Sequence, residues 1–258
     1  MCARPVIRMT GEGPDLVMVH GWGSHSGIWG DFADNLSKHF RLHLVELPGH
    51  GDASEGNCTF EAESFANAVA EITPRAVWLG SSLGGLIALH AALSVPEKVS
   101  QLVLISVNPS FVSKPGWTHG QSPGVFDQFV ALLETGAGET LKHFSKLEVA
   151  GSDGARETLA KLRKVQNKLP SVAALRQGLN ILGTENLTKR LQELELPCLI
   201  IGGAEDRLVP IEALRETAKL IRGSELLEIE GAGHAPFISH TEKVYEATRQ
   251  FLSKEKAA

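Results

Sequence analysis

A chain of 258 residues, 43% hydrophobic and 21% charged, has the size and composition of a soluble globular protein with one large domain or two small ones. Its net charge of −5 argues against a general nucleic-acid binder, which would be basic. The three cysteines, Cys2, Cys58 and Cys198, are scattered and show no CxxC spacing, so they read as reduced thiols and not as a disulfide framework or a zinc site. No signal-peptide pattern opens the chain and no run approaches the roughly 18 apolar residues of a membrane span, so the expectation is a soluble, cytoplasmic monomer without a membrane partner.

The predicted elements alternate. Short β-rich runs "DLVMVH" (15–20), "RLHLVEL" (41–47), "AVWLG" (76–80) and "VSQLVLIS" (99–106) are separated by helical patterns. Those patterns are "FADNLSKHF" (32–40), "FEAESFANAVAEI" (60–72) and "LGGLIALHAALSV" (83–95). After a gap the alternation resumes with "PCLIIGG" (197–203), "IEALRETAKLI" (211–221), "ELLEIEG" (225–231) and "TEKVYEATRQFL" (241–252). Such a chain predicts a mostly parallel sheet with helices on both faces. The gap opens with "SKPGWTHGQSPG" (113–124) and reads as four helices without strands: "VFDQFVALLE", "ETLKHFSKLEV", "ARETLAKLRKVQNKL" and "VAALRQGLNIL". Residues 1–112 and 186–258 therefore form the predicted core, and 113–185 an inserted helical lid on the same sheet. An ordinary separate helical domain is the plainer alternative.

Gly80-Ser81-Ser82-Leu83-Gly84 fits G-x-S-x-G, with a strand before it and a helix after it. In that context the motif makes a tight turn that lifts Ser82 Oγ clear of the sheet, and the small flanking residues are what the turn requires. Without that role, Ser82 would be a helix N-cap. A serine hydroxyl needs a base to become a nucleophile. His234, in the Gly-rich loop of "EGAGHAPFISH", is the candidate, with His240 as its rival. The carboxylate expected between them in chain order is Asp206 in "LIIGGAEDRLVP", with Glu205 as the alternative. Oxyanion donors are expected from the backbone N–H groups of Trp22, in "HGWG", and of Leu83. His20 in that loop is expected to prop it through hydrogen bonds. A serine at position 82 excludes chemistry that needs an aspartate nucleophile there. No phosphate loop, H-E-x-x-H or Cys/His cluster is present, and neither metal nor cofactor is expected.

"VMVHGWGSHSGIW", "HLVELPGHGDAS", "WLGSSLGGLIALHAALSVPEKV" and "GAGHAPFISH" resemble the α/β-hydrolase superfamily across nearly the whole chain. Within it, the chain is similar to the esterases of biotin synthesis that act on the methyl ester of a pimeloyl-[acyl-carrier protein]. The tail "HAPFISH" and the block "WLGSSLGGL" are the most specific elements of that likeness, and "GHGDAS" departs from the commoner G-x-G-x-S. The resemblance implies an α/β-hydrolase fold, the triad Ser82, Asp206 and His234, oxyanion residues Trp22 and Leu83, and Phe144 as an aromatic of the acyl pocket. It also implies an acidic acyl-carrier protein as partner. From Lys142 to Arg176 eight basic residues stand against three acidic ones, whereas the rest of the chain carries 17 basic and 27 acidic. Lys142, Arg156, Lys161, Arg163 and Lys164 are the expected docking residues. On a helical wheel Leu159, Leu162, Val165 and Leu169 face the other way; a merely solvated basic face is the alternative. A general short-chain carboxylesterase, a carbon–carbon bond hydrolase and a ligand-binding receptor on the same fold are the rival functions.

Overall fold

The computed structural model describes residues 4–54, 60–165 and 168–254. Cys2 and Cys58 lie outside the described residues. Seven strands form one sheet: β1 (Val6–Thr10), β2 (Asp15–Val19), β3 (Arg41–Glu46), β4 (Ala76–Ser81), β5 (Val99–Ile105), β6 (Cys198–Gly203) and β7 (Glu225–Ile229). Their order across the sheet is β1-β3-β2-β4-β5-β6-β7, and every pairing is parallel except that of β1 with β3. β1 was not expected from the sequence. It is an edge strand whose side chains are mostly exposed, so no hydrophobic alternation marks it.

The inner strands are largely apolar because each buries both faces. Val17, Val19, Trp78, Leu102, Leu104 and Ile200 point into one core layer. Their neighbours Leu16, Met18, Leu79, Val103, Ile105 and Ile201 point into the other. The helices that cover these layers are α1 (Gly30–Leu36), α2 (Ala62–Ile72) and α3 (Leu83–Ser94) before the insert. After it come α8 (Ile211–Leu220), the single turn α9 (Pro236–Ser239) and α10 (Thr241–Ser253). α3 is buried along almost its whole length, between the sheet and its neighbours.

Between β5 and β6 the chain leaves the sheet for four helices, α4 (Pro123–Thr135), α5 (Ala137–Glu148), α6 (Ala155–Val165) and α7 (Val172–Thr184). Ser122 and Ser171 cap α4 and α7 by accepting from the N–H groups of Val125 and Ala174. Lys114 Nζ donates to the carbonyls of Thr184 and Glu185, closing the far end of α7. The apolar stripe of α6 is shorter than the wheel suggested. Leu162 is buried, and Leu159 and Val165 are partly so. Leu169 lies beyond the helix and is 56% exposed, because the stripe needs helical continuation to reach the core.

Candidate active site

Ser82 sits between β4 and α3 at φ 52°, ψ −119°, a backbone conformation that L residues rarely hold. The surroundings enforce it. A Cβ on Gly84 would lie 2.1 Å from Val19 O, and one on Gly80 would lie 2.4 Å from Gly84 O, so only glycine fits at either position. Ser82 N–H donates to Ile105 O at 3.0 Å, and Ser82 O receives the N–H groups of Gly85 and Leu86. The Ser82 side chain makes no capping bond to α3, which sets aside its reading as an N-cap.

His234 lies on the loop after β7, buried, with its N–H donating to Glu148 O at 2.8 Å. Its Nδ1 meets Asp206 Oδ2 at 2.7 Å. The other oxygen of Asp206 accepts the N–H groups of Leu208 and Val209 at 2.8 and 2.9 Å, so that carboxylate is fully satisfied inside the turn after β6. Asp206, not Glu205, is thus the partner of His234. His240 bonds Ser239 Oγ at the start of α10. Burial lowers the basicity of the His234 ring, but the charge and hydrogen bond of Asp206 and the charge of Glu148 outweigh it, and its pKa is raised. His234 Nε2 is buried and has no partner among the described residues. It faces a pocket of about 30 Å³ walled by Gly21, Trp22, Ser82, Phe144, Glu148 and His234, among others.

Trp22 belongs to the loop after β2. Among the described residues, neither its main-chain N–H nor that of Leu83 makes a hydrogen bond. The Trp22 ring is fixed from two sides: Nε1 donates to Leu175 O of α7 at 2.8 Å, and the ring meets Phe144 of α5 edge-on, centroids 4.9 Å apart. His20 is wholly buried behind this loop. Its Nδ1 donates to Gly21 O and its Nε2 accepts Leu47 N–H, as expected of a prop. Beside it Glu46 accepts both the N–H and the hydroxyl of Ser26. Burial opposes the Glu46 charge, but His20 and Ser26 hold its pKa down at about 2.

Trp22 and Phe144 also wall a second, apolar cavity of about 240 Å³, together with Phe111, Phe126, Phe129 and Leu179. On the other side, Ile28 and Phe237 are shared between the Ser82 pocket and a groove of about 490 Å³ whose rim carries Lys161 and Lys164. Lys142, Arg156, Lys161, Arg163 and Lys164 are all exposed. Lys142 and Lys161 pair with Glu139 and Glu157, whereas Arg156, Arg163 and Lys164 have no ion-pair partner among the described residues. No group of three or more His, Cys, Asp or Glu among the described residues could hold a metal, and no described helix is long and apolar enough to cross a membrane. Cys198 is free and buried in β6.

Two features of the pocket were not foreseen. Glu148, the last residue of α5, lines the pocket, a placement no local motif signals. The Phe111–Phe129 wall gathers residues from separate elements, and only the apolar spacing of "VFDQFVALLE" hinted at it.

A family model described as the alpha/beta hydrolase family matches residues 16–247. The chain is 42% identical over 249 residues to a pimeloyl-[acyl-carrier protein] methyl ester esterase of Stenotrophomonas maltophilia, covering 96% of each chain. It is 39% identical to a protein of the same name from Xylella fastidiosa, over 96% of this chain and 98% of that one. Among solved structures, an esterase from Exiguobacterium antarcticum superposes with a TM-score of 0.89 at 23% identity, covering 97% of this chain and 96% of that one. A bromoperoxidase from Bacillus anthracis does so with a TM-score of 0.89 at 19% identity, covering 97% and 95%. The sheet order, the strand–turn–helix at Ser82 and these similarities agree: the chain belongs to the alpha/beta hydrolase family.

Proposed function

We propose that the protein is a serine carboxylesterase that removes the methyl ester from a pimeloyl chain carried on an acyl-carrier protein. The observation that carries the chemistry is the pair of His234 and Asp206 at 2.7 Å, with the other ring nitrogen left unpartnered in the pocket that Ser82 lines. The name shared by the relatives supports the substrate.

Asp206 fixes the proton on His234 Nδ1, leaving Nε2 as the base that takes the Ser82 proton. Ser82 Oγ attacks the ester carbonyl, and the oxyanion that forms is held by the main-chain N–H groups of Trp22 and Leu83, which have no partner among the described residues. His234 gives the proton to the departing methoxide, so methanol leaves and an acyl-serine remains. Water, deprotonated by His234, adds to that acyl group. The intermediate collapses to a carboxylate product and free Ser82, the hydroxyl regaining its proton from His234 and one proton passing to solvent. Methylenes of the acyl chain placed against Trp22, Phe144 and the apolar cavity contribute roughly 0.8 kcal/mol each.

In this reading α4–α7 act as the lid. Arg156, Arg163 and Lys164, without ion-pair partners among the described residues, suit an acidic carrier, and the groove under Lys164 runs to walls shared with the Ser82 pocket. Electrostatic docking of that kind speeds encounter and weakens with salt.

The test is single-turnover methanol release from pimeloyl-carrier-protein methyl ester at low and high salt, with wild type beside Ser82→Ala and Arg163→Glu/Lys164→Glu. Release should vanish in the first variant. In the second it should slow at low salt while hydrolysis of a small methyl ester is spared. Turnover indifferent to salt and to the charge reversal would leave a general esterase without carrier docking.

A further inference from the structure

Glu148 is used by no step above. It closes α5, its main chain receives the His234 N–H, and the half-buried residue lines the same small pocket as Ser82 and His234. No hydrogen bond or ion pair is made by its carboxyl among the described residues. The charged groups acting on it are His234 and Asp206.

The pocket is where a carboxylate is made. Hydrolysis of a neutral ester leaves an anion between the oxyanion donors and His234. In a space of about 30 Å³ that anion has no room to stand away from the Glu148 wall. Two like charges lining one part-buried pocket disfavour one another by on the order of tenfold or more. The ester itself carries no charge and meets no such opposition.

We infer that Glu148 is a specificity-determining residue of this pocket: it admits an acyl chain whose end is esterified and repels the same chain once its end is a free carboxylate. The inference rests on the esterase reading above and extends it to product discrimination. Burial pushes the Glu148 carboxyl up to about 7, with His234 opposing that rise and Asp206 adding to it. The repulsion therefore operates fully on the alkaline side of neutrality and fades as the carboxyl gains its proton in acid.

The test is calorimetric binding of hexanoate and of its uncharged isostere hexanamide at pH 8.5, to the wild-type chain, Glu148→Gln, Glu148→Ala and Glu148→Asp. Hexanoate has no leaving group to lose and a primary amide is a far poorer acyl donor than an ester, so the heat read is that of binding and not of turnover. In wild type the amide should bind more tightly than the carboxylate. That preference should shrink about tenfold in the Gln and Ala variants and persist in the Asp variant, which keeps the charge. An unchanged preference in whichever of the Gln and Ala variants melts like wild type overturns the inference. The esterase reading fails separately, if wild type releases no methanol from ester substrates or if Ser82→Ala releases it equally well.

Discussion

Gly84→Ala adds one methyl group at the turn that carries Ser82, and the structure sets its cost. The new Cβ would lie 2.1 Å from Val19 O and 2.4 Å from His20 O, where ordinary contact begins at 3.4 Å. Both neighbours are backbone atoms, so neither can rotate away. α3 would have to withdraw from β2 by about 1 Å, at a cost of about 3 kcal/mol, the upper end of ordinary overpacking. For a chain of this size that lowers Tm by about 6–12 °C. The displaced atoms include Ser82 and the Leu83 N–H, while Trp22 stays with β2, so kcat/KM should fall on the order of 100-fold. Gly124→Ala is the matched control. It lies in the first turn of α4 with nothing within 4 Å of the added atom, and should leave Tm unchanged or slightly raised. Scanning calorimetry and p-nitrophenyl butyrate hydrolysis read the two effects. A Gly84→Ala protein with wild-type Tm and activity within threefold (about 0.7 kcal/mol) would refute the argument that this turn has no slack.

Two further outcomes are expected. Asp206→Asn keeps the size of the side chain but not the acceptor that holds the Nδ1 proton, so kcat should fall by about 10⁴ with little change in Tm; a loss under tenfold would remove Asp206 from the mechanism. Acid should destabilise the fold through two buried groups behind the Trp22 loop. Burial, with His20 adding to it, lowers the pKa of His50 from 6.5 to about 3, so the unfolded chain takes up a proton the folded one refuses, and stability is lost from pH 6.5 downward. The pKa of Glu46 is lowered from 4.5 to about 2, so its contribution of about 3 kcal/mol is complete above pH 4.5 and disappears as pH falls toward 2. The carboxyl of Glu148, raised by burial to about 7, acts the opposite way and offsets the His50 loss between pH 6.5 and 4.5. Urea melts should therefore show a midpoint that falls steeply only below pH 4.5, and a midpoint flat from pH 4.5 to 2.5 would contradict both assignments.

The parallel sheet was legible because strands buried on both faces leave uninterrupted apolar runs, as in "AVWLG" and "PCLIIGG". β1 carries no such mark: its place comes from main-chain pairing with β3. Ser82, Asp206 and His234 could be read because each stands in a turn directly after a strand, where glycine spacing betrays the geometry. The choice of Asp206 over Glu205 was not fixed by local sequence. It follows from how the turn after β6 spends the N–H groups of Leu208 and Val209 on one carboxylate. Glu148 was invisible for the same reason in stronger form. Read in sequence it is one acid among the basic residues of the helical insert, and only the meeting of α5 with the loop after β7 brings it to the pocket.

That meeting has a counterpart. Glu148 O of α5 takes the N–H of His234, and Leu175 O of α7 takes the Trp22 indole N–H. The four helices are therefore tied by main-chain carbonyls to both His234, the proposed base, and the Trp22 loop, the proposed oxyanion loop. An attempt to retarget this enzyme by transplanting another set of helices between β5 and β6 would exchange more than a substrate cover. It would also remove two anchors of His234 and the Trp22 ring, and because both are carbonyls, it is the path of the grafted backbone, more than the identity of its side chains, that a working chimaera would have to reproduce.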